Sequence, residues 1–144
     1  MESRRTRTRL TTRLEDLVAG LRVWAKGLLC LEAAVELLIG HELWLWREDF
    51  AHAAALGFGW HVFTGQAMVW LDFIAAGHAL ESGVLPCSSS ERQLLLIAAS
   101  IAEGRPVDLR EALSGLDETD TGLVVRAVLH AAGHGGAVIA GAPR

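Results

Sequence analysis

Ser88 and Glu91 stand three apart just ahead of residues 94–101, a run that is apolar on nearly every face of a helix. That spacing predicts a capping box, in which the serine hydroxyl accepts one orphan amide and the glutamate reaches back to the amide of Ser88. A helix that is apolar all round needs cover from other segments to be stable in water. The chain must therefore build its core around a central helix over residues 88–103, which Gly104 and Pro106 end.

The rest of the chain has material to cover it. Of 144 residues, 51% are apolar, enough for one domain that folds without a metal or disulfide framework. Leu14, Leu17, Val18, Leu21, Ala25 and Leu28 recur at helical spacing. A second helix is predicted over 28–46, with Glu32 and Glu36 on one face and Leu31, Val35, Leu38 and Ile39 on the other. Arg47, Glu48 and Asp49 form a polar break, a helix starts at Ala51, and Gly57 and Gly59 weaken it. Residues 66–80 read as a third long helix. Gly83, Pro86 and Ser88 to Ser90 punctuate the chain before the central helix.

Beyond that helix, Asp108 and Glu111 start a short helix to Ser114, closed by Gly115. A last apolar helix over 123–132 is capped by Gly133, with Asp117 or Asp120 at its start. No strand-like alternation is evident. The expected fold is all-α, a compact bundle of about five to six helices. Its parts are a disordered basic arm (1–13), a helical domain (14–133, Trp-rich to 83 and with shorter helices after it) and a flexible tail (134–144).

Net charge is −4, but Arg4, Arg5, Arg7, Arg9 and Arg13 face only Glu2 in residues 1–13. An acidic body thus carries a basic arm, which could meet anionic lipid or nucleic-acid phosphate; such binding would be salt-sensitive and sequence-independent. The arm lacks the apolar run of a secretory signal, so the expected location is cytoplasmic, with peripheral contact at the inner membrane face the alternative. Cys30 and Cys87 form no CxxC and read as small packing residues.

Residues 50–71 contain no Asp, Glu, Lys or Arg, about the length of a bilayer span. Glycines, Thr64, Gln66, His52 and His61 dilute that stretch, and Glu32 and Glu36 interrupt the other apolar candidate over 27–46, so no autonomous span is expected. Trp44, Trp46, Trp60 and Trp70 fit core packing, or else an interface with lipid or a partner.

Catalytic patterns fail one by one. His130 and His134 are four apart, but the run lacks the Glu of a zincin and Gly133 interrupts the helix; His130 reads instead as a last-turn histidine. His41, His52, His61 and His78 have no carboxylate paired at short spacing. The run from Asp117 to Gly122 begins like a calcium loop, yet Val128 stands where the bidentate Glu belongs. Gly-His-Gly-Gly at 133–136 follows no strand, and Ser88 to Ser90 lack a nucleophile elbow. The expectation is a non-enzyme with no catalytic, cofactor or metal residues. Residues 108–133 outline a helix-turn-helix, but Asp117, Glu118 and Asp120 occupy the turns that would meet phosphate.

W-L-W-R-E-D-F at 44–50, W-L-D-F at 70–73, G-V-L-P-C-S-S-S-E at 83–91 and L-L-L-I-A-A-S-I-A-E-G-R-P-V-D-L-R-E-A-L-S-G-L-D at 94–117 form a pattern. Over residues 32–134 it resembles short, uncharacterised actinobacterial proteins of plasmids and integrative elements, and most of all the small spread proteins of Streptomyces plasmids. The resemblance implies a non-enzymatic accessory role in plasmid transfer, through contacts with transfer proteins, itself or the membrane surface. It carries no residue-level site, and the first 27 residues lie outside it. The alternative is a small soluble regulatory protein that holds nucleic acid through its arginines.

Overall fold

The computed structural model describes residues 2–136, with side chains from Arg13 onward. Eight helices and one hairpin follow in the order α1 (Glu2–Ala25), α2 (Leu29–His41), α3 (Leu43–Trp46), α4 (Glu48–Ala53), β1 (Gly57–Trp60), β2 (Ala67–Trp70), α5 (Phe73–Glu81), α6 (Ser89–Glu103), α7 (Leu109–Ser114) and α8 (Glu118–Ala131). The architecture is predominantly helical, with a small two-stranded antiparallel sheet added to it.

Helix α6 is the centre of the molecule. Its capping box is formed, with Ser88 accepting the Glu91 amide at 3.2 Å and the Glu91 carboxylate accepting the Ser88 amide at 3.4 Å. Every residue from Gln93 to Ala99 is buried. Gly104, at φ 71°, ends the helix in the left-handed conformation that glycine adopts without steric cost. Helices α2 and α5 pack against α6, and α8 closes over α2. Short helix α7 is capped by Asp108 and long helix α8 by Asp117, each carboxylate accepting amides of the first turn.

The single helix expected over 28–46 is broken in two. Glu42 sits at φ 66°, turning the chain between α2 and α3 just after Gly40 in the last turn of α2. The break drives Trp44 into the core, where it is fully buried, its indole donating to the Glu91 carbonyl at 3.1 Å. Phe50 packs on one side at 5.6 Å between ring centroids, and the Arg47 guanidinium covers the ring at 4.8 Å.

The long helix expected over 66–80 is also corrected. Residues 67–70 are strand β2, and α5 starts only at Phe73, where the Asp72 carboxylate caps it. At the other end, α1 is helical from Glu2, so the segment read as a separate basic arm is the first half of that helix. No glycine or proline interrupts residues 2–19, and arginine is a good helix former. The side chains of Arg4, Arg5, Arg7 and Arg9, and the tail over 137–144, lie outside the described residues. Cys30 and Cys87 are exposed, not packed, Cys30 in the first turn of α2 and Cys87 just before the Ser88 cap of α6.

Candidate interaction surface

The hairpin pairs Gly57 with Trp70, Phe58 with Val69, Gly59 with Met68 and Trp60 with Ala67. Alternation puts Gly57, Gly59, Met68 and Trp70 on one face and Phe58, Trp60, Ala67 and Val69 on the other. The first face is possible only with glycine in β1, because a Cβ at Gly57 would fall 2.2 Å from the Trp70 indole nitrogen and one at Gly59 2.9 Å from the same ring. Trp70 lies across the bare backbone and supplies the apolar mass that β1 lacks.

The second face turns toward α1. Val69 is buried there against Gly20, where a Cβ would come within 2.4 Å of the valine side chain. Because α1 lies along β2, β1 overhangs without cover. An open groove of about 980 Å³ results, with Phe58, Trp60 and Met68 on the hairpin side and Arg13, Leu17 and Val23 on the helix side. Asp16 and Gln66 also line it.

Exposure rises along the hairpin. Phe58 is 65% exposed and Trp60 71%, and in the connecting loop Val62 reaches 90% and Phe63 92%. Scattered exposed apolar residues are ordinary on a protein surface, but four large ones within six positions form a contiguous patch.

The four tryptophans singled out in the sequence are not brought together. Trp44 is core, Trp70 is half-buried over its glycines, and Trp46 and Trp60 are exposed on different elements. Phe58, Val62 and Phe63 carry as much of the patch as Trp60 does. Their signal in the sequence is the charge-free window over 50–71, which marks a surface hairpin and not a span. Among the described residues no helix is long and apolar enough to cross a membrane.

The polar clusters are structural in their geometry. The Asp120 carboxylate lies 3.0 Å from His41 Nδ1 and accepts the Ser90 hydroxyl at 2.6 Å, while Ser90 Oγ accepts the Asp117 amide at 3.1 Å. This ties together the end of α2 and the starts of α6 and α8. The serine donates to the aspartate and not to the histidine. His41 Nε2 is buried without a partner.

His130 does not pair with His134; it meets Glu32 at 2.9 Å, a bond that, with the Gly27 amide, holds the glutamate below the usual carboxylate range. Among the described residues no three His, Cys, Asp or Glu side chains are grouped to hold a metal ion. Partial desolvation, then the Glu91 charge, push the Cys87 thiol up, away from the reactive thiolate.

The hairpin thus carries exposed apolar side chains beside a groove whose charged lining is Arg13 and Asp16. Compared with family models, curated proteins and solved structures, the chain matches none.

Proposed function

We propose that the chain is a non-enzymatic accessory protein that acts by surface contact, and that the contact is made by the hairpin. One observation carries this reading: Phe58, Trp60, Val62 and Phe63 stand in solvent on a hairpin that is anchored to α1 through Val69, beside a groove left open along α1. Leaving such side chains in water forfeits roughly 1.5–3 kcal/mol for each that could otherwise be covered. Large, rigid apolar side chains are the usual anchors of an interface. The resemblance to plasmid-spread proteins gives this contact a setting in plasmid transfer between actinobacterial cells, on the cytoplasmic side.

Deletion of the coding sequence from its host, followed by complementation, tests this. Plasmid spread should fall on deletion and return with the wild-type chain, but not with a Val62→Asp/Phe63→Asp variant whose thermal midpoint is unchanged. Full rescue by that variant would refute the contact role of the hairpin. Undiminished spread after deletion would refute the role in transfer.

A further inference from the structure

Resting on that contact reading, we propose that the hairpin tip and the basic first half of α1 dock the protein on an anionic lipid bilayer, seating Trp60, Val62 and Phe63 at headgroup level. Shape is the first argument. The most exposed apolar side chains lie in the loop at the end of a two-stranded projection. A bilayer receives such a projection without the matching concavity that a protein partner would have to supply.

Hydrogen bonding is the second. A loop that seats apolar side chains among lipid gives up part of its water, which favours backbone donors paired within the loop. Here the amides of His61 and Gly65 donate to the Gln66 and His61 carbonyls at 2.8 and 2.9 Å. Those of Phe63 and Thr64 each donate to His61 Nδ1 at 3.3 Å, and that of Gln66 donates to the Thr64 hydroxyl at 3.3 Å. The His61 ring thus accepts from two amides of the tip, and five of the six amides over residues 61–66 find partners within the loop, while Val62 and Phe63 point their apolar side chains outward.

Charge is the third. Residues 50–71 hold no Asp, Glu, Lys or Arg, so no charge opposes entry of the tip. Arg13 stands on the groove that the hairpin borders, and positions 5 and 9 precede it at intervals of four along α1, placing arginine on three successive turns of one helix row. Asp16, on the same groove, is the opposing charge; residues 1–13 set five arginines against one glutamate. An apolar aromatic tip on a hairpin that shares its groove with Arg13 matches an interface in which phosphates overlie acyl chains.

The test is flotation of the full chain with vesicles of phosphatidylcholine alone and of equal parts phosphatidylcholine and phosphatidylglycerol. The wild-type chain should float with the anionic vesicles, lose binding as salt rises, and bind phosphatidylcholine far less. Phe63→Asp, at a site too exposed to affect folding, should weaken binding by about tenfold or more, the size expected from losing one buried aromatic. His61→Ala, which strips the acceptor from two loop amides, should weaken it while leaving the thermal midpoint near that of the wild type.

Absence of wild-type flotation, or undiminished flotation of Phe63→Asp, would overturn the proposal. Equal binding to phosphatidylcholine alone would overturn the assignment to anionic lipid. A wild-type dimer in solution that Phe63→Asp converts to monomer, with no vesicle binding, would replace the bilayer by a second copy of the chain. In that case the contact reading stands, because the plasmid-spread assay reports on it separately.

Discussion

Asp120 and His41 are 79 positions apart in the chain and meet at 3.0 Å, both nearly closed off from solvent. The carboxylate is shared with Ser90, so one side chain joins three helix ends. Removing it leaves a buried hydroxyl and a buried imidazole without their partner. Asp120→Ala should therefore destabilise the fold by roughly 2–4 kcal/mol, read from urea unfolding. A loss within about 0.5 kcal/mol, typical of surface changes, would show that the knot contributes little.

Two tryptophans should respond in opposite ways. Trp44 fills the core and donates to Glu91, so Trp44→Ala should cost about 3–5 kcal/mol. Trp60 stands mostly in water, and Trp60→Ala should change stability by no more than about 0.5 kcal/mol. Thermal unfolding of the two variants separates a core residue from a surface one.

Central helix α6 is legible in the sequence because its signals are local: a capping box, an apolar run and a glycine that ends it. Hairpin β1–β2 escapes the same reading because its alternation is glycine against aromatic instead of polar against apolar. Trp70 fills the space over Gly57 and Gly59, and no periodicity rule looks for a side chain supplied by the opposite strand. At the break after α2 the positive φ falls on Glu42 and not on the nearby Gly40, and the apolar pattern runs on through Leu43 to Trp46, so the helix looks continuous in the sequence. The pairs His41–Asp120 and Glu32–His130 join residues far apart in the chain, which spacing along one helix does not reveal. The charge-free window over 50–71 contains the hairpin, but only the fold shows the strand pair within it.

Backbone strain at the hairpin entrance gives a third expectation. Ala55 sits at φ 49°, in the left-handed region that a Cβ disfavours. Ala55→Gly should raise stability by about 0.5–1 kcal/mol, seen as a higher urea midpoint with unchanged slope.

Acid should weaken the tie between α2 and the end of α8. The Glu32 carboxyl is held below its ordinary value chiefly by the hydrogen bond from His130. A carboxyl depressed on folding stabilises the native state above its unfolded pKa of about 4.3, and this stabilisation is lost as pH falls through the lower folded value. Glu32→Gln should flatten the stability profile below that point. Equal acid dependence in variant and wild type would contradict the assignment.

The claim that the hairpin tip seats in an anionic bilayer is tested most directly by tryptophan emission in the presence of vesicles containing brominated phosphatidylglycerol. Bromine quenches an indole only at close range, and of the five tryptophans Trp60 alone lies at the tip. The account predicts quenching of the wild-type chain that Trp60→Phe removes, although Trp46 remains exposed. Quenching that is absent, or that persists undiminished in Trp60→Phe, would contradict it.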